Sequence, residues 1–210
     1  MDQAIVIGRS TLAIRAGAVA LGALLVAAAA QVAVPLPGTP VPMTLQPLAV
    51  LLVGGLLGAR LGALSMILYL AMGIAGLPVF TPTVPLVGVA RLMGPTGGYL
   101  LAYPVAAFVV GRFSDPGRKP GENPNPASAS FNPGLAPGVR EPYWLRVGLG
   151  VLAGLVLIHL GGLAQLLIIT GSVSVAARFG TLPFLLGDLF KLVIAVAILA
   201  KLAPSIRARL

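Results

Sequence analysis

The chain is expected to be an all-α integral membrane protein, a compact bundle of six transmembrane helices. Three observations lead there. It is 58% hydrophobic and only 9% charged, with a mean hydropathy of +1.01, well outside soluble globular composition. Glycine occurs 27 times and proline 19 times, both being more frequent in membrane helices than in soluble ones. Long apolar runs also recur along the 210 residues, leaving no segment for a separate catalytic domain, so residues 1–210 are read as one membrane domain.

The first span is predicted over Thr11–Val34, long enough to cross a hydrocarbon core of about 30 Å. Comparable runs follow it, so it reads as a retained helix rather than a signal peptide. The four prolines of PLPGTPVPMTLQ, Pro35–Gln46, forbid continuous helix. A short second helix is predicted over Pro47–Gly58 and a third over Leu61–Ala75. The Pro- and Gly-rich stretch Gly76–Gly98 is apolar but too broken for one helix, and Pro85–Met93 is taken as a short or re-entrant piece. Irregular backbone at membrane depth is tolerated where it is buried in protein or lines a cavity. A fourth span is predicted over Pro95–Phe113, a fifth over Tyr143–Thr170 and a sixth over Leu182–Leu202. Between the fourth and fifth, residues 114–142 carry prolines with Asn123, Asn125, Ser128 and Ser130, the composition of a flexible cytoplasmic loop.

Charge sets the expected orientation. Arg9, Arg15, Arg60, Arg112, Arg118, Lys119, Arg140, Arg146, Lys201, Arg207 and Arg209 fall on the side of both termini. Only Arg91, Arg178 and Lys191 fall on the other. Positive residues concentrate on the cytoplasmic side, so both termini are expected there, in the cell's inner (plasma) membrane. The net charge of +9 forms no dense stripe, and nucleic acid is not an expected partner. With no cysteine, disulfide and thiolate chemistry are excluded.

Asp188 is the one acidic residue of five with long apolar sequence on both sides, and Lys191 follows it by three positions. A charge at membrane depth persists where it meets a partner, ligand or solute. Two readings stand side by side: a mutual ion pair on one helix face, or Asp188 accepting from ligand N–H groups while Lys191 meets a ligand oxygen. Arg91 is alone in its outer segment, suited either to clamp a carboxylate with its planar fork or to snorkel to the interface. Thr44 and Gln46 stand where the proline-rich loop enters the second helix, as rigid solute contacts or, for Thr44, as an N-cap. GPTGGY, Gly94–Tyr99, offers close backbone approach beside one aromatic. In the first helix, Ala13, Ala16, Ala20, Ala23, Ala27 and Ala30 line one face at 3–4 spacing, open to another helix of this chain or to a different protein.

His159 and Gln165 are expected to make hydrogen bonds within the bundle. One histidine without an acidic neighbour in sequence gives neither a metal site nor a proton relay. No Ser/His/Asp spacing, HExxH or paired carboxylate occurs, so no enzyme activity, cofactor or metal is expected.

The stretch PVPMTLQPLAVLLVGGLLGARLGALSMILYLAMGIAGLPVF, Pro40–Phe80, followed by LMGPTGGYLLAYPVAAFVVG and PFLLGDLFK, resembles the BioY family, and the three motifs occur in that family's order. Family members are biotin-specific substrate-binding subunits of energy-coupling-factor (ECF) transporters. The resemblance implies six helices with cytoplasmic termini and biotin held near the outer face by Asp188 and Lys191, with Arg91 the nearest match to a further binding arginine. It also implies that the small-residue face at Ala16, Ala20, Ala23 and Ala27 meets a transmembrane coupling protein, itself joined to two ABC-type ATPase subunits. The chain holds no Walker motif, so ATP hydrolysis would come from those partners. An alternative implied by some members is a self-sufficient biotin carrier working without a dedicated ATPase module. Biotin's cyclic urea and carboxylate match the acid and bases independently: Asp188 for a urea N–H, and Arg91 or Lys191 for the carboxylate, with Thr44, Gln46 and Tyr99 beside them.

Overall fold

Proline and glycine punctuate the apolar chain into its elements. The computed structural model describes residues 2–115 and 142–210, with side chains from position 12 onward, so nearly all of the loop expected over 114–142 lies outside the described residues. The helices in chain order are α1 (Asp2–Gln31), α2 (Gln46–Leu57), α3 (Ala59–Ile74), α4 (Val89–Met93), α5 (Gly97–Phe113), α6 (Tyr143–Thr170), α7 (Val173–Gly180) and α8 (Leu185–Arg207). A one-turn 3-10 segment, Leu182–Phe184, leads into α8.

The first helix stops at Gln31, three residues before its expected end. Ala33–Val34 (β1) instead pairs antiparallel with Met43–Thr44 (β2), and the proline-rich loop closes between them. The short outer piece narrows to α4, five residues from Val89, because Pro85 and the positive-φ Gly88 keep the preceding backbone out of helix. The expected fifth span is found at its predicted bounds, Tyr143–Thr170. It ends on Gly171 in the left-handed region (φ +65°), which a Cβ would resist. What sequence left as a connection after it folds as α7, capped by Ser172, whose hydroxyl accepts from the Val175 N–H.

Among the described residues, three helical stretches are long and apolar enough to cross a membrane: Leu12–Gln31, Tyr143–Thr170 and Val173–Arg207. Gln46–Leu57, Ala59–Ile74 and Gly97–Phe113 are shorter and apolar. These long elements pack side by side as a mostly helical membrane protein. Small residues let the backbones approach, as van der Waals packing in lipid demands. A Cβ on Gly98 of α5 would overlap the Gly161 carbonyl oxygen of α6, and one on Gly161 would overlap the Gly98 oxygen in return.

One end of the bundle is basic and cross-tied. Arg207 of α8 donates to the carbonyls of Gly55 (3.0 Å) and Gly111 (2.7 Å). Arg15 donates to Leu210 O at 3.0 Å, and Arg146 stands 5.6 Å over the Tyr143 ring. The other end carries β1–β2, α4 and α7, and Thr44 of β2 and Arg91 of α4 line a cavity there.

Candidate functional site

Gln46 begins α2 with Pro47 beside it, so the polar amide is held at a helix mouth by a rigid turn. Opposite, the first turns of α8 present Asp188 and Lys191 on one face. Between these elements lies a cavity lined by all six residues expected to bind solute: Thr44, Gln46, Arg91, Tyr99, Asp188 and Lys191. Together with the open solvent at its mouth, this space amounts to about 570 Å³. Val41, Leu100, Leu155, Ile158 and Phe184 supply apolar walls, and Thr81, Thr96, Tyr103 and His159 add polar ones.

Asp188 stands between two bases. Lys191 Nζ donates to its Oδ1 at 2.8 Å, and His159 Nε2 lies 2.7 Å from Oδ2. The ion pair of the first reading therefore forms, and it forms on the cavity wall, so the two readings of this pair are compatible. The histidine without an acidic neighbour in sequence has one in space, 29 residues away on another helix. Its role as a bundle hydrogen bond holds, and it also lines the site. Gln165 likewise bonds within the bundle, donating to Met93 O at 3.1 Å.

Arg91 does not snorkel: it is 1% exposed. Its Nη1 donates to Val84 O at 2.7 Å and its Nη2 to Thr81 O at 3.1 Å, while Nε is buried and unpartnered. Both ends of the fork hold the outer loop, so the expected end-on carboxylate clamp is already occupied by backbone. What remains is its positive charge, the second proton of each Nη and the Nε edge.

Thr44 is not the N-cap of α2, a position taken by Leu45. Its hydroxyl nonetheless accepts from the Gln46 N–H at 3.3 Å and donates to Gln46 Oε1 at 3.3 Å. Gln46 Nε2 in turn donates to Tyr69 at 2.7 Å. Tyr99 donates to Gly180 O at 2.6 Å, tying α5 to the end of α7. Thr39 donates to Phe179 O at 2.7 Å, joining the proline-rich loop to α7.

The alanine face divides. Ala23 and Ala27 are 0% and 9% exposed and belong to the bundle's own core, so they are corrected from partner contacts to internal packing. Ala16 and Ala20 are exposed. The 3–4 spacing is one stripe, but α3 covers only its second half: a Cβ on the neighbouring Gly22 would meet Ser65 Oγ at 2.6 Å.

The model of the BioY family matches residues 7–208. The chain belongs to the BioY family. A biotin transporter of Thermotoga maritima is 34% identical over 159 residues, 76% of this chain and 79% of that one. A probable biotin transporter of Pyrococcus horikoshii is 42% identical over 96 residues, 44% of this chain and 55% of that one. Against this relative and others of its kind, the chain spans about half the length of the protein it matches. A crystal structure of the S-component for biotin from an ECF-type ABC transporter has the same fold, with a TM-score of 0.71 at 22% identity over 92% of each chain.

Sequence pointed to both charged residues of α8 but passed over Thr81, Thr96, Tyr103 and Phe184. Nothing in their spacing marks them. Thr81 reaches the cavity from the loop after α3, Thr96 and Tyr103 from the start of α5, and Phe184 from the turn before α8.

Proposed function

We propose that this chain captures biotin at the outer face of the cell's inner membrane and delivers it inward as the substrate-binding subunit of an ECF transporter. The observation that carries this is the site itself: one buried acid flanked by bases, in a mixed apolar cavity, in a BioY chain whose relatives are named biotin transporters. Asp188 accepts a urea N–H. With Asp188 ionised and Lys191 and Arg91 charged, the cavity walls carry one surplus positive charge, which a monocarboxylate neutralises. The apolar walls cover the thioether ring.

Six helices, α1, α2, α3, α5, α6 and α8, make up the membrane bundle, with α2, α3 and α5 the short members. Both termini are cytoplasmic. Support comes from Arg207 and Arg15, which gather at one end with the α2–α3 and α8 termini, as the distribution of positive charge requires. The connection between α5 and α6 is cytoplasmic in the same arrangement. A transmembrane coupling protein contacts the exposed Ala16 and Ala20, and two ABC-type ATPase subunits supply the energy.

Uptake of labelled biotin into cells carrying this chain, with and without the coupling subunits, tests the proposal. Accumulation that needs those subunits and copurifies them with the chain is expected. Uptake that proceeds at full rate in their absence contradicts the subunit role, and no biotin binding at all contradicts the substrate.

A further inference from the structure

A buried carboxylate needs one cation to be neutralised, and Lys191 supplies it at 2.8 Å. His159 is therefore surplus to charge balance, yet it takes the other oxygen at 2.7 Å. Held by one oxygen, a carboxylate turns about its Cβ–Cγ bond. Held by both, its plane is set, and so are the directions of its remaining lone pairs, two of about four being used by the protein.

The imidazole is itself held. The Tyr99 ring meets it edge-on, with centroids 6.3 Å apart and planes at 78°. Tyr99 is fixed at its far end by the bond to Gly180 O at 2.6 Å. Its ring lies against Gly162, one turn beyond His159 on α6, where any Cβ would overlap it. Gly180, Tyr99, His159 and Asp188 form a continuous line of restraint running from α7 through α5 and α6 to α8.

We propose that His159 is a positioning residue for ligand recognition: through Nε2 it fixes the Asp188 carboxylate plane, so that the free lone pairs meet an N–H donor of the ligand as it enters. This rests on the biotin reading and deepens it, because a urea presents its N–H groups in a rigid ring plane. An acceptor of set direction gains most from a donor of set direction.

The test is titration of biotin into purified wild type, His159→Ala, His159→Gln, Asp188→Asn and the His159→Ala/Asp188→Asn double variant. Glutamine places an amide N–H near the position of imidazole Nε2. His159→Ala is expected to weaken biotin binding by about tenfold, the scale of one hydrogen bond to a charged group, and His159→Gln to recover most of that loss. In the Asp188→Asn background the alanine change is expected to add almost nothing. Should His159→Ala not fold, His159→Met, of similar length and without a donor, takes its place. Unchanged affinity without the imidazole, or a loss that persists undiminished in Asp188→Asn, overturns the inference while leaving biotin capture intact. A folded wild type that ignores biotin overturns both.

Discussion

Gln46 Nε2 donates to the Tyr69 hydroxyl at 2.7 Å, and that hydroxyl donates onward to the Val79 carbonyl at 3.3 Å. The relay joins the mouth of α2 to the irregular chain after α3, so one cavity wall is braced against another. The Phe80 ring stands edge-on to Tyr69 at 5.5 Å and closes the brace on its apolar side.

Tyr69→Phe keeps the ring contact and removes the hydroxyl, leaving Gln46 Nε2 buried without its acceptor. A loss of about 1–3 kcal/mol in stability is expected, read as a lower unfolding temperature in detergent. Biotin affinity should fall with it, because Gln46 and Thr44 lose their common anchor.

Asp188→Ala leaves Lys191 buried without its counter-charge, whereas Asp188→Ala/Lys191→Ala removes both charges. Breaking one partner of a buried pair typically costs about 3–5 kcal/mol, while replacing the whole pair is often near neutral. The single variant should therefore unfold at a lower temperature than the double, although both lose biotin binding. Thermal unfolding of the two, side by side, checks the order.

The visibility of this site in sequence was uneven for physical reasons. Asp188 and Lys191 stand out because a charge in an apolar run is anomalous wherever the run folds. The bond from His159 to Asp188 left no trace, since it joins α6 to α8 across 29 residues and no local period encodes it. The long spans were legible from apolar length and their Pro and Gly boundaries. By contrast, α7 was not, because an eight-residue helix is set by Ser172 and by the α6 side chains beneath it rather than by length. Arg91 lines the cavity, but its carbonyl partners lie in a loop whose path sequence did not specify.

Arg91→Lys keeps the charge and cannot reproduce a planar fork reaching two carbonyls. The Thr81–Val84 wall should loosen. Faster proteolytic cleavage in the outer loop and at least several-fold weaker biotin binding are the expected outcomes. Equal cleavage and equal affinity would assign Arg91 no part in shaping the cavity.

Bulky substitution along α1 should separate two behaviours of one alanine stripe. Ala16→Trp/Ala20→Trp lies on the exposed half and should abolish copurification with a coupling protein while sparing biotin affinity. Ala23→Trp enters the core and should instead destabilise the bundle, by more than the roughly 1–3 kcal/mol of modest overpacking. Gly17→Ala, with no atom within 4 Å of the added carbon, serves as the neutral control on that helix.

The most direct measurement is equilibrium binding of labelled biotin to the purified wild-type chain and to Asp188→Ala/Lys191→Ala, each verified as folded. Saturable binding by the wild type, weakened by tenfold or more in the double variant, is the predicted result. Equal binding by both proteins would contradict the account, because the cavity would then hold its solute without the acid and base on its wall.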